Sequence, residues 1–177
     1  MSHAITEPVV APPQPATEAK KECTFSCNSV KEQLRGAMGA DCKIGNSVLQ
    51  AVVCHVKDQY MADMCGRIIA GLDYNNSKTV TEKLLKAIGV SEWEQVPVAV
   101  QHVKAGTVIR LMKSKLPGVR IQHQVRATLQ QHICAYLHII GVLLARHVQV
   151  CGAPLVKPEH VTHVLRLHRV DPTAILA

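Results

Sequence analysis

No unbroken apolar run in this 177-residue chain approaches the ~20 residues that a membrane span needs. Its N-terminus also lacks the basic-then-apolar order of a secretory leader. Together these absences lead us to expect an intracellular protein with no membrane partner. Cysteine is present but not in a pattern that staples a fold. The seven, Cys23, Cys27, Cys42, Cys54, Cys65, Cys134 and Cys151, are an odd number, most of them inside apolar helical stretches, which suits buried reduced thiols better than disulfides. Cys23-x-x-x-Cys27 has no second pair at zinc-ligand spacing, so no metal site is expected. A glycine-rich phosphate loop, a nucleophile elbow and paired carboxylates are missing as well. These absences argue against an enzyme, a cofactor or a small-molecule substrate.

Acidic residues are scarce in one half only. Residues 1–104 hold 11 Lys/Arg and 11 Asp/Glu, whereas residues 105–177 hold 9 Lys/Arg against Glu159 and Asp171 alone. The net charge of +7 therefore lies in the second half, which points to a polyanionic partner.

What is present is helical. Residues 1–22 are rich in Pro, Ala, Thr and Glu without apolar periodicity, and 1–28 as a whole is expected to be a disordered tail. Ser29-x-x-Glu32 has the form of a capping box and predicts a short helix over 30–38. After a polar loop, Asn46 or Ser47 is placed to cap a long helix running to about Asp73. Its apolar residues, Leu49, Val52, Val53, Val56, Tyr60, Met64 and Ile68, recur at steps of three and four. Thr79-x-x-Glu82 predicts a further cap and a short helix to about Ile88.

The same order then recurs. Val108 to Lys115 is a short helix, Leu116-Pro-Gly118 opens a loop, and a long helix from about Gln122 to Val150 carries Val125, Leu129, Ile133, Tyr136, Ile140, Leu143 and His147 on one stripe. Pro158 suits the first position of a closing helix that runs to about His168. The implied units are 29–90 and 108–170, with a joining segment at 91–107 that has its own Ser91-x-x-Glu94 box interrupted by Pro97, and a short tail at 171–177. A helix of about 28 residues is roughly twice the usual length. Its apolar face cannot be covered by two short helices, so each long helix needs the other. The expected dimer core is Val52, Val56, Tyr60 and Met64 against Leu129, Ile133, Tyr136, Ile140 and Leu143, in one all-α, two-fold-like body.

From about residue 29 to 168 this pattern resembles the core histones, as a histone doublet. Gly45-Asn-Ser-Val48 and Asp73-Tyr-Asn-Asn-Ser-Lys-Thr-Val-Thr81 look like histone 2B. Ala105-Gly-Thr-Val-Ile-Arg-Leu-Met-Lys113, Gly118-Val-Arg120, Val156-Lys-Pro-Glu-His-Val161 and Arg166 look like histone 2A. The resemblance implies two tandem histone folds forming one intramolecular heterodimer. Fused chains of this order are known in giant viruses of the Marseillevirus group, and this one looks like a reduced version. A viral source implies the viral factory and virion, a cellular one the nucleus.

The resemblance also implies a role: packaging double-stranded DNA, largely independent of sequence, in nucleosome-like particles with a histone 4/histone 3-type doublet or tetramer. Arginines in the minor groove and contacts from helix ends are how histones in general hold DNA, and the resemblance alone carries that mechanism to this chain. Head-to-tail pairing would put Arg120 beside Asn76, Ser77, Lys78 and Thr79, and Lys43 beside Lys157. A third site at the two short first helices would carry Lys31, Arg35, Arg110, Lys113 and Lys115.

Departures from the family are equally specific. Its acidic docking patch corresponds to Ile139, Val142, His168, Arg169 and Val170, none of them acidic. Leu155 stands where a minor-groove arginine is usual, and Ser77-Lys78 where Lys-Arg is usual. The short stretch after the third helix implies weaker contacts with the tetramer. An alternative function is therefore a histone-fold protein-interaction module of a transcription or chromatin-regulating complex. His132, Cys134 and His138, and the pair His160 and His163, are read as ordinary core or surface side chains.

Overall fold

The computed structural model describes residues 24–39, 42–90, 100–153 and 155–167. Two short-long-short helical units follow one another. The first comprises α1 (Cys27–Met38), β1 (Lys43–Ile44), a long helix, β2 (Thr79–Val80) and α4 (Glu82–Ala87). The long helix is continuous but not uniform: α2 (Asn46–Cys54) passes into a π-helical turn, π1 (His55–Tyr60), and then α3 (Met61–Tyr74). In the second unit α5 (Ala105–Lys115), β3 (Arg120–Ile121), α6 (Val125–Val150), β4 (Leu155–Val156) and α7 (Pro158–Leu167) repeat the order.

Several helix starts differ from the sequence expectation. Phe25 is buried and α1 begins at Cys27 behind Ser26, so the segment expected to be a tail through residue 28 is structured from residue 24. Ser29 lies inside this helix and is not its cap. Gly45 precedes α2 without a side-chain cap bond. At α4 the cap is Thr81, whose Oγ1 accepts from Leu84 N at 3.2 Å, while Thr79 belongs to β2. The second unit's first helix starts at Ala105, three residues before the expected Val108. The Ser91-x-x-Glu94 box and Pro97 lie outside the described residues.

The two units share one hydrophobic core. Each of the expected core residues Val52, Val56, Met64, Leu129, Ile133, Tyr136, Ile140 and Leu143 is buried. Tyr60 is half-buried, with its ring on Tyr136. α6 has the 26-residue length and a mean hydropathy of 1.5 that would let a helix cross a membrane, which the count of unbroken apolar runs did not show. Here it is the central helix, since His132 to Leu137 are all buried and α1, α5 and α7 pack along it. On the α1 side the approach is close. A Cβ at Gly141 would lie 2.7 Å from Ala37 Cβ and 3.0 Å from the Leu34 carbonyl oxygen.

The long helices meet at a cluster of four side chains. Tyr60 and Tyr136 stack with ring centroids 3.5 Å apart and planes within 7°. His55 Nδ1 donates to Gln59 Oε1 at 2.9 Å, which leaves Nε2 to accept the Tyr136 hydroxyl proton at 2.7 Å. Tyr60 Oη and His132 Nε2 mirror this at 2.7 Å. On α6 the pair His132 and Tyr136 is four apart and shares an α-helical face. His55 and Tyr60 are five apart, which on an α-helix separates them by about 140°. The π turn, closed by i to i+5 bonds, brings them onto one side. Burial holds the His132 pKa down to about 4, with the nearby Arg67 charge acting the same way and the polar Val90 backbone opposing it in part. Burial also raises both tyrosines.

Two outcomes follow. Gly141→Ala should destabilise the chain by about 1–3 kcal/mol through overpacking of α1 on α6, although alanine is the better helix former; a urea midpoint at or above the parent's would contradict this close approach. His132 titrates near 6.5 when exposed, so between about pH 4 and 6.5 the unfolded state binds the extra proton. Stability is then full above that window and falls with pH inside it, by on the order of 3 kcal/mol from this group. His132→Gln should flatten the slope of urea stability against pH, and an unchanged slope would show that the imidazole is not held neutral.

Candidate nucleic-acid interface

The loops that end the long helices are short, the one at Asn75–Lys78 exposed and polar, and the strand next to each pairs with a strand of the other unit. β2 and β3 run parallel with Thr79 opposite Arg120, fastened by Arg120 N donating to Lys78 O at 2.8 Å. Asn76 takes a left-handed conformation (φ 46°), which asparagine tolerates better than most side chains. Thr79 N donates to Ser77 Oγ at 3.2 Å. Arg120, Ser77 and Lys78 are exposed and Thr79 is half-buried, and Lys78 borders a hollow of about 220 Å³ that Asp73, Ser77 and Gly118 also line.

At the opposite pairing, β1 and β4 run parallel with Lys43 opposite Leu155. Lys157 is exposed, as Lys43 is, close to the strand pair. Lys157 N donates to His160 Nδ1 at 3.2 Å across the first turn of α7. The structure thus brings together both loop combinations expected from the sequence.

As for the third, Gln33 of α1 holds the segment just before α5, donating to Val100 O at 3.3 Å and accepting from His102 N at 2.9 Å. α1 lies along α6 and α2, whereas α5 packs on α6 and α3. Arg35 is engaged by Glu32 at 3.2 Å, and Lys31 is half-buried on the same helix. Lys115 sits near Cys65, whose thiol is pushed up to about 11 by burial with Lys115 opposing. Arg110 and Lys113 instead face the start of α6, in a groove with His123 and Arg126. Neither His123 nor Arg126 stood out in the sequence, because a lone basic residue in a first helical turn carries no motif.

The cysteines and histidines also differ from expectation. Among the described residues only Cys65 and Cys134 are buried, while Cys54 and Cys151 are exposed thiols. His132 and Cys134 point to different partners, Tyr60 and, at 4.0 Å from its sulfur, Val103 O. A separate group forms where α6 ends: the His147 ring lies 5.2 Å from that of His160 and 4.8 Å from that of His163, with Cys151 Sγ 3.6 Å from His147 Nε2. Among the described residues no group of His, Cys, Asp or Glu is arranged to hold a metal ion. Of the positions matching the acidic patch, Ile139 is buried and Val142 half-buried. Residues 168–170 lie outside the described residues.

No protein-family model matches the chain, and no curated protein matches it. Solved structures do. The crystal structure of the histone from Methanopyrus kandleri superposes with a TM-score of 0.64 at 17% identity, covering 79% of this chain and 92% of that one. A protein from Thermus thermophilus gives a TM-score of 0.58 at 16% identity, covering 81% and 95%. At these identities the likeness establishes the fold, which is that of a histone.

Because the strand pairs are held by backbone bonds and the basic side chains project from them, the double substitution Arg120→Ala, Lys78→Ala should leave urea stability within about 0.5 kcal/mol of the parent. A loss of several kcal/mol would show that these side chains hold the loops together.

Proposed function

We propose that this chain is a tandem pair of histone folds, the first like histone 2B and the second like histone 2A, closed on each other as one heterodimer-like body. In this reading it packages double-stranded DNA with a histone 4/histone 3-type partner. The observation that carries it is the juxtaposition of exposed cations at the two inter-unit strand pairs, Arg120 with Lys78 and Lys43 with Lys157.

Each pair sits on a rigid backbone element at one end of a shared core. Neutralising phosphates at those points releases counterions, so binding is largely independent of sequence and falls steeply with salt. No base-reading group is required, since phosphate contacts fix position without specifying sequence. Chemistry plays no part in this reading. Leu155, half-exposed opposite Lys43, and Ser77 supply no charge, so the grip is weaker than a fully basic pair of loops would give. The protein works in the viral factory and virion if its source is viral, and in the nucleus if cellular.

A protein-interaction module is the second reading. It is favoured by Ile139, an apolar buried residue where a docking patch would need an exposed acid.

Micrococcal nuclease separates the two. DNA assembled with a histone 4/histone 3-type partner should give a discrete protected fragment that lengthens when this chain is added. Partner binding with no added protection would favour the interaction module. The Arg120→Ala, Lys78→Ala variant should bind DNA about tenfold more weakly, with the slope of log K against log salt reduced by about 2.

A further inference from the structure

Where α6 ends, three imidazoles meet across a seam. His147, in the last turn of α6, has its ring centroid 5.2 Å from that of His160 and 4.8 Å from that of His163, both on α7. His147 and His160 are half-buried and His163 is exposed. One of these rings is also a fastening, since His160 Nδ1 accepts the Lys157 N–H at 3.2 Å and so ties the exit of β4 to the first turn of α7. That helix is lightly anchored, its buried side chains being Val161 and Val164. Charged and titratable groups surround the seam on each element packed there. The end of α6 carries Arg146, and Cys151 just beyond it lies with Sγ 3.6 Å from His147 Nε2. In α2 the only such group is Cys54, in β1 it is Lys43, and Lys157 follows β4. Apart from its histidines, α7 carries Arg166 and Glu159. Glu159 is the single carboxylate of this set, and the ion pairs among the described residues are made elsewhere, by Glu32, Asp63 and Glu82.

Imidazole is the side chain that takes up a proton between about pH 5 and 8. Protons are unwelcome in the closed seam for three reasons. A protonated Nδ1 of His160 can no longer accept the Lys157 N–H. A cation on His160 stands at the positive end of the α7 dipole. A second imidazolium would face the first across the seam, where fixed cations already outnumber Glu159. His147 lies at the C-terminal end of α6, which favours a cation, yet burial, with His163 and His160 acting the same way, holds its pKa below the ordinary 6.5. We propose that this seam is an acid-operated latch: neutral rings let α7 close on the end of α6, and their protonation releases α7 together with the pairing of β4 and β1. The closed seam binds fewer protons than the open one, so its stability is full above the ordinary 6.5 of imidazole and falls as pH drops below it. The β2–β3 pair lies at the opposite end of the core, so acid undoes one inter-unit strand pair and leaves the other. The latch follows from the packing and does not depend on what the chain binds.

Amide hydrogen exchange of the full-length chain, corrected for the intrinsic pH dependence of exchange, reads the latch directly. Between about pH 7.5 and about pH 5.5, protection of the α7 amides should fall about fivefold or more relative to amides in the middle of α6. The acid response of His132, buried in the core, reaches both regions alike and is therefore not mistaken for the latch. The double variant His147→Gln, His160→Asn, shown to be folded by circular dichroism at the higher pH, should keep α7 protected there and lose the selective fall. Asparagine can still accept the Lys157 N–H but does not titrate. His163→Gln, a replacement at an exposed position, should also diminish the fall and serves if the double variant does not fold. No fall in α7, an equal fall in α7 and the middle of α6, or a selective fall undiminished in the variants would each overturn the proposal.

Discussion

Two stacked tyrosines, Tyr60 and Tyr136, lie where the long helices cross, and each passes its hydroxyl to a histidine, His132 or His55. The arrangement sets His132 and Tyr136 in the core, with His55 and Tyr60 half-buried beside them, and the buried polar atoms must be satisfied there. It can be satisfied only in one relative placement of the helices, because each helix supplies one tyrosine and one histidine to the other. A shift of one turn along either helix would separate both pairs. Apolar contacts such as Val52, Leu129 and Ile133 supply most of the attraction, while the polar cluster sets the register. The π turn at His55–Tyr60 is a consequence. Without it, His55 and Tyr60 would face different ways and only half of the cluster could form.

Register at the crossing determines what happens at the ends. The loops after and before the long helices reach their partners only if both helices are correctly placed, and the two-residue strand pairs then fix Arg120 against Thr79 and Lys43 against Leu155. Positioned cations are therefore a product of the core. The same logic places the α5–α6 groove, whose floor depends on α5 being seated against α6. Close contact at Gly141 with Ala37 and Leu34 fixes the other side of α6 and gives that helix its fully covered middle.

Much of this was legible in residue spacing. Long apolar stripes, turn residues at Tyr74–Lys78 and Leu116–Gly118, and the repeated order of elements led to two paired units. From that pairing came the loop combinations, because head-to-tail packing leaves little choice about which loop meets which. The π turn was not legible, since the four-residue steps from Tyr60 to Met64 and Ile68 are kept on one buried face by ordinary α-helix. Capping was read less well. Ser29, Asn46 and Thr79 have the right chemistry, but packing of Phe25 and pairing of β2 moved the helix starts elsewhere. The groove partners of Arg110 and Lys113 were missed for a similar reason. Sequence shows that α5 is amphipathic without showing which neighbour its basic face meets, and Arg126 emerges only when α6 is laid beside it.

The central claim is that this body bends DNA around itself by its paired basic loops. Relaxing a closed circular plasmid with topoisomerase in the presence of this chain and a histone 4/histone 3-type partner measures that bending directly. After removal of protein, the account predicts supercoils retained in proportion to the amount of this chain added, beyond those the partner retains alone. A plasmid no more supercoiled than with the partner alone, under conditions where this chain is folded and bound, would contradict it.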